Sequence, residues 1–228
     1  MNAYTTLLFD SDDTLLDFSR AESESLTKAL LEFDINCTEE LLNTYKQCNA
    51  HMWQAYDRGE IKKSDIYTGR FSLFLRKSGL VADVTALNRL YMDYLKENGA
   101  EISGALTLLK KLKAQYKIYI ISNGTVAVQK TRLIKSGIIN LVDGVFLSEE
   151  IGFQKPKIEF FDIVLKSIPE KDKSKILIIG DSITSDIQGG VNAGIDTCLY
   201  NPHTVNSEIA PTYSVCSFKD IESLLIKP

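Results

Sequence analysis

The chain has 228 residues, 44% hydrophobic and 25% charged, the make-up of a globular protein large enough for one domain with a smaller inserted unit. A formal net charge of −4 gives no pull towards nucleic acid polymers or anionic membranes, and no apolar stretch approaches the ~20 residues of a membrane-spanning helix. Only 2 His are present, His51 and His203, so histidine catalysis or zinc binding is hard to build and both are read as incidental. The 4 Cys (Cys37, Cys48, Cys198, Cys216) form no C-x-x-C pair. A strand pattern begins almost at once, with no secretory segment before it, so free thiols in a cytoplasmic protein are expected.

In chain order, the apolar run Thr6–Phe9 reads as a buried strand that delivers Asp10 and Asp12, two residues apart, to a strand exit. Two such carboxylates can share a divalent cation or divide nucleophile and proton-transfer roles. Residues 16–98 carry no proline and read as four amphipathic helices in a compact bundle. Ser19-x-x-Glu22 is a capping-box signature for the first, Thr38 caps the second, Ser64 the third, which ends near Gly79, and the fourth starts near Asp83.

From Gly104 the pattern changes to helices alternating with the apolar strands 117–121, 144–147, 175–179 and 196–200. Such strands predict an α/β fold with a parallel sheet covered on both faces, which the first strand joins. The core then comprises residues 1–15 and 99–228, with the helical unit 16–98 inserted after the first strand.

Ligands of open parallel sheets bind beyond the carboxyl ends of the strands. There the chain places Asp10 and Asp12, then Ser122-Asn123-Gly124, then Lys155 just before a helix, then Gly180-Asp181-Ser182 with Asp186. Several carboxylates at one sheet edge remain ionised together only if a cation neutralises them, and oxygen-only donors favour Mg²⁺ over zinc. A Ser hydroxyl, backbone N–H groups and a Lys suit a phosphoryl group, and an Asp beside a metal can attack phosphorus.

These four segments, in this order and spacing, resemble the motifs of the haloacid dehalogenase-like hydrolase superfamily, over essentially the whole chain. The resemblance implies a Rossmann-like core, a C1 cap acting as a mobile lid, Mg²⁺, and phosphoryl transfer through an aspartyl-phosphate. It assigns Asp10 as nucleophile and metal ligand. Asp12 would be the general acid/base and give its backbone carbonyl to the metal. Ser122, with nearby N–H groups around Asn123, would hold the phosphoryl group. Lys155 would offset charge, Asp181 would bind Mg²⁺ directly, Asp186 would orient Lys155 or a metal-bound water, and Thr14 would brace the loop. Asp12 favours phosphate over carbon as the centre attacked, since dehalogenating members usually lack it. Position 13 is Asp where many members carry Gly.

Phe9–Phe18, Trp53-x-x-Tyr56-x-x-Gly59, Gly69-Arg70-Phe71 and Ser148-Glu149-Glu150 are similar to house-cleaning pyrimidine 5′-nucleotidases. The implied substrate is a small phosphomonoester, a pyrimidine nucleoside monophosphate, handled by a monomer or homodimer. The alternatives are a phosphatase or mutase for sugar phosphates or phosphoglycolate, a 2-haloacid dehalogenase, and a catalytically silent binding protein. Plainer readings apply elsewhere. Trp53 and Tyr56 read as core residues, with the lining of a base-binding pocket as the alternative, Arg70 as an ordinary ion-pair partner rather than a nucleotide contact, Asp13 and Asp17 as solvated or capping residues, Glu149 and Glu150 as loop residues or members of the metal shell, and Lys166, Lys171, Lys173 and Lys175 as a solvated cluster.

Overall fold

The computed structural model describes residues 4–200 and 209–226; His203 lies outside them. Six parallel strands stand in the order β3-β2-β1-β4-β5-β6, with β1 Thr6–Phe9, β2 Lys117–Ser122, β3 Gly144–Leu147, β4 Ile176–Gly180, β5 Asp196–Tyr200 and β6 Tyr213–Val215. β1 and β4 run in register, Phe9 opposite Ile179, so Asp10 and Asp181 leave neighbouring strand ends. The chain order reverses between these two strands, and such a switch point is where an open parallel sheet holds its ligand.

Strand side chains alternate between faces. Leu7, Phe9, Ile118, Ile120, Leu177 and Ile179 pack with α5 (Ala105–Leu112), Leu133 of α6 (Val126–Lys135) and α10 (Phe218–Leu225). Leu8, Tyr119, Ile121, Ile176 and Ile178 pack on the other face with Phe160, Phe161 and Val164 of α8 (Ile158–Ser167) and Ala193 of α9 (Gln188–Ala193). Burying each such side chain contributes about 1.5–3 kcal/mol. The sheet is thereby closed on both faces, which leaves its strand ends to offer polar groups to a ligand. Among the described residues no helix is long and apolar enough to cross a membrane.

By compactness the chain divides into two units, one running to Phe18 and resuming at Gly99, the other Ser19–Asn98. The second holds most of α1 (Phe18–Leu31) with α2 (Glu39–Asp57), α3 (Lys63–Ser78) and α4 (Val84–Glu97). Thr38 caps α2 by accepting the Leu41 N–H at 3.3 Å, and Asp83 caps α4 by accepting that of Ala86 at 2.7 Å. Two capping expectations are corrected. α1 begins at Phe18, so Ser19 lies inside it, and Glu22 accepts instead from the Asn49 side chain at 2.7 Å. α3 begins at Lys63, which places Ser64 inside it; Asp65 reaches back to the Lys62 N–H at 2.9 Å.

Arg70 is also corrected, because it is buried rather than part of an ordinary ion pair. Its guanidinium donates to the carboxamide oxygens of Asn49 (3.3 Å) and Asn88 (3.0 Å) and stands 4.7 Å over the Tyr91 ring. Its buried Nε has no hydrogen-bond partner, and the ring faces of Tyr91 and Phe71 offset that loss through cation–π attraction. Trp53 and Tyr56 meet edge to face at 5.9 Å and are only half-buried.

The lysine cluster is not uniformly solvated. Lys171 Nζ donates to the carbonyls of Leu165, Lys166 and Ile168, closing the end of α8. Lys173 Nζ likewise reaches the carbonyl of Ala193 at 2.8 Å.

Candidate active site

Asp10, the first residue beyond β1, donates its N–H to the Ile179 carbonyl at 2.8 Å, which ties it to β4. Lys155, 1% exposed, sends Nζ to Asp10 Oδ1 and Asp186 Oδ1, both at 2.6 Å, and to the Ile121 carbonyl at 3.1 Å. All three protons of the ammonium are therefore spent on strand-end acceptors. Asn123 fixes the Lys155 backbone from both sides, accepting its N–H and donating to its carbonyl, each at 2.9 Å. The Ser122 hydroxyl oxygen accepts the Gly124 N–H at 3.0 Å.

Asp181 follows Gly180 at the end of β4. The Thr14 hydroxyl lies 3.4 Å from Asp181 Oδ1 and 3.5 Å from Asp10 Oδ2, one proton between two carboxylates. A π-helical turn, Ile183–Ile187, swings Asp186 back towards the strand end, where its Oδ2 accepts the Ser182 N–H at 3.1 Å. Gly180 is required there, because a Cβ would lie 2.3 Å from Asp186 Oδ2. Asp13 takes a φ of +56°, left-handed backbone that Gly occupies freely and Asp tolerates.

Carboxylate oxygens of Asp10, Asp181 and Asp186 all lie within 4.8 Å of one another. Three carboxylates thus face one ammonium. Burial pushes Asp10 well above the ordinary carboxylate range, against the pull of the Lys155 ammonium. Burial, then the charges of Asp186 and Asp13, push Asp181 up to about 7. Burial works to lower Lys155, but the charges of Asp10 and Asp186 outweigh it and the ammonium is raised. This oxygen-only donor set with excess negative charge fits a hard divalent cation.

The side chain of Asp12 makes its contacts elsewhere. Its oxygens are held by Gln129 and Arg132 of α6, neither of which stands out in the sequence. Glu149 accepts the Val126 N–H at 2.6 Å at the start of α6, and Glu150 pairs with Lys130, so both act within the loop and its neighbours.

A family model described as haloacid dehalogenase-like hydrolase matches residues 7–200. The chain belongs to the haloacid dehalogenase-like hydrolases. Within that family it is 38% identical to HAD-hydrolase YfnB of Bacillus subtilis, over 99% of this chain and 97% of the relative. A solved structure of YfnB, described as bound to magnesium, superposes with a TM-score of 0.93 over 98% of this chain and 99% of that one. Pyrimidine 5′-nucleotidase PynA of Streptococcus pneumoniae is 39% identical over 98% of this chain and 96% of its own length. Pyrimidine 5′-nucleotidase YjjG of Escherichia coli is 34% identical over 97% of each.

The carboxylate cluster of this haloacid dehalogenase-like hydrolase makes stability depend on pH. In the folded chain Asp181 titrates near 7, whereas an unfolded Asp titrates at about 3.9. The stability it contributes is complete below the unfolded value and is lost as pH rises through the folded one. Metal-free protein is therefore expected to lose melting temperature at this group as pH rises from about 4 to 7, and so to melt lower at pH 8 than at pH 5. Added MgCl₂ should raise the melting temperature more at pH 8, where protons no longer compete for the oxygens. An equal rise at both pH values, measured by scanning fluorimetry, would contradict this account of the cluster.

Proposed function

We propose that the chain is a Mg²⁺-dependent phosphomonoesterase that hydrolyses pyrimidine nucleoside 5′-monophosphates through an aspartyl-phosphate on Asp10. The observation that carries this reading is the buried Asp10–Lys155–Asp186 arrangement with Asp181 beside it, at the switch point of the sheet. Two full-length relatives named as pyrimidine 5′-nucleotidases support the choice of substrate. The side chains of Asp10 and Asp181 and the backbone carbonyl of Asp12 would hold Mg²⁺. When bound, the ion neutralises the carboxylates and the phosphate oxygens, which lets an anionic nucleophile approach an anionic ester.

Asp10 attacks phosphorus, a bond forms between its oxygen and phosphorus, and the bond from phosphorus to the ester oxygen breaks. Asp12 gives that leaving oxygen a proton. It then takes a proton from water, whose oxygen attacks the phosphoryl group, breaks the bond to Asp10 and releases inorganic phosphate. Ser122 and neighbouring N–H groups hold the phosphoryl oxygens, and Lys155 keeps Asp10 oriented and partly neutralised. In this reading Ser19–Asn98 is the cap that selects among esters.

Phosphate release with MgCl₂ should be faster from UMP, dUMP and dTMP than from phosphoglycolate or hexose phosphates, and chelator should stop it. Faster release from a sugar phosphate would replace the nucleotidase reading. No turnover of any ester, including an aryl phosphate, would favour a silent binding protein.

A further inference from the structure

Four residues of the core unit serve one carboxylate. Arg132, fully buried, donates from Nη1 to Asp12 Oδ1, and its guanidinium carbon stands 5.6 Å from the centre of the Phe18 ring. Gln129, one turn earlier on the same face of α6, donates from Nε2 to Asp12 Oδ2. The Ser11 hydroxyl donates to Gln129 Oε1 at 3.2 Å, which fixes the amide so that its N–H₂ end meets Asp12. Gly124 makes room: a Cβ there would lie 2.4 Å from Gln129 Cγ and from Nε2.

A purely structural role is a poor account of this network. Burying a guanidinium costs desolvation that an ion pair often fails to recover, and a well-packed apolar side chain would stabilise α6 at least as well. The Asp12 side chain, moreover, is 27% exposed, so the buried cation is aimed at a carboxylate on the open side of the core.

We propose that Gln129 and Arg132 are positioning residues for proton transfer by Asp12. The inference rests on the phosphatase reading, in which Asp12 protonates the leaving oxygen. Each Asp12 oxygen accepts one of these bonds and keeps a second lone pair for the proton that passes to the leaving oxygen. The bond from the neutral amide of Gln129 is weaker than the charge-assisted bond from Arg132. Losing either contact lets the carboxylate rotate away from the pose in which it gives its proton, the loss of Arg132 more than that of Gln129.

The test compares esters that need the proton with one that does not. Nitrophenolate departs without protonation, whereas the alkoxide of a nucleotide does not. Gln129→Met, Arg132→Met and Gly124→Ala are measured in single turnover with p-nitrophenyl phosphate and with UMP, or with whichever alkyl ester the wild type cleaves fastest. Thermal melts run alongside. The ratio of alkyl to aryl rate is expected to fall by about tenfold or more, a modest part of what general acid catalysis supplies. An equal loss with both esters, or no loss, overturns the proposal. Should Arg132→Met fail to fold, Gln129→Met and Gly124→Ala still decide it, since neither removes a charge. Wild-type protein inactive on both esters would instead sink the phosphatase reading. Wild-type activity with equal losses in the variants leaves that reading standing and removes only this one.

Discussion

Asp10→Asn is expected to cut phosphate release from UMP by about 10⁴-fold or more while leaving the fold in place. The amide has the size of the carboxylate but cannot form the acyl-phosphate bond. It also removes one negative charge from a cluster where burial and neighbouring carboxylates already push Asp10 and Asp181 upwards, so repulsion falls. Lys155 retains Asp186 at 2.6 Å and the Ile121 carbonyl at 3.1 Å, so its ammonium stays paired. The Asp10 N–H still reaches the Ile179 carbonyl, because that bond belongs to the backbone. Phosphate release and a thermal melt on the same preparation check both halves. Near-normal turnover in a well-folded variant would end the covalent mechanism.

The parts of this site that depend on short stretches of chain are legible in the amino-acid sequence. An apolar run followed by Asp10 and Asp12 announces both the strand and the groups at its exit, and the burial of every residue of β1 and β4, divided between the two faces, follows from their largely apolar runs. Local chemistry also misleads. Ser19 and Ser64 are good capping residues by type, yet each is the second residue of its helix, which starts at Phe18 and at Lys63. β6, Tyr213–Val215, is three residues long with only Val215 buried, and it exists because β5 offers an edge. The following helix α10, capped by Ser217, buries Ile221 and Leu225 against the same core, and its amphipathic spacing is a legible helix signal.

Gln129 and Arg132 escape for a different reason. A Gln and an Arg three apart on a helix read as solvated surface, and their partner lies 117 and 120 residues away in sequence. The signal is indirect: Gly124 next to Ser122 and Asn123, at a position whose φ is not left-handed and so does not itself demand Gly. Only a space requirement explains that glycine, and space is a property of the folded chain. Asp13 shows the converse, since its φ of +56° accounts for the glycine that many family members carry there.

Lys155→Met is expected to cost both stability and activity, and the two can be separated. The ammonium faces Asp10 and Asp186, themselves 7% and 0% exposed, so its loss leaves buried carboxylates without their cation. Breaking a buried pair from one side costs about 3–5 kcal/mol. In metal-free protein the loss should be largest at neutral pH and shrink on acidification, because protons then replace the missing charge on Asp10 and Asp181, whose carboxyls burial has already raised. Asp186→Asn in the same chain removes one of the stranded charges and should restore part of the melting temperature. It should not restore phosphate release, because Asp10 would still lack the ammonium that holds it in place. Recovery of stability without recovery of turnover is the signature of a lysine that both neutralises the strand end and orients the nucleophile. If Lys155→Met melts like the wild type across that pH range, the three carboxylates are neutralised by something other than this side chain, and the electrostatic account of the site fails.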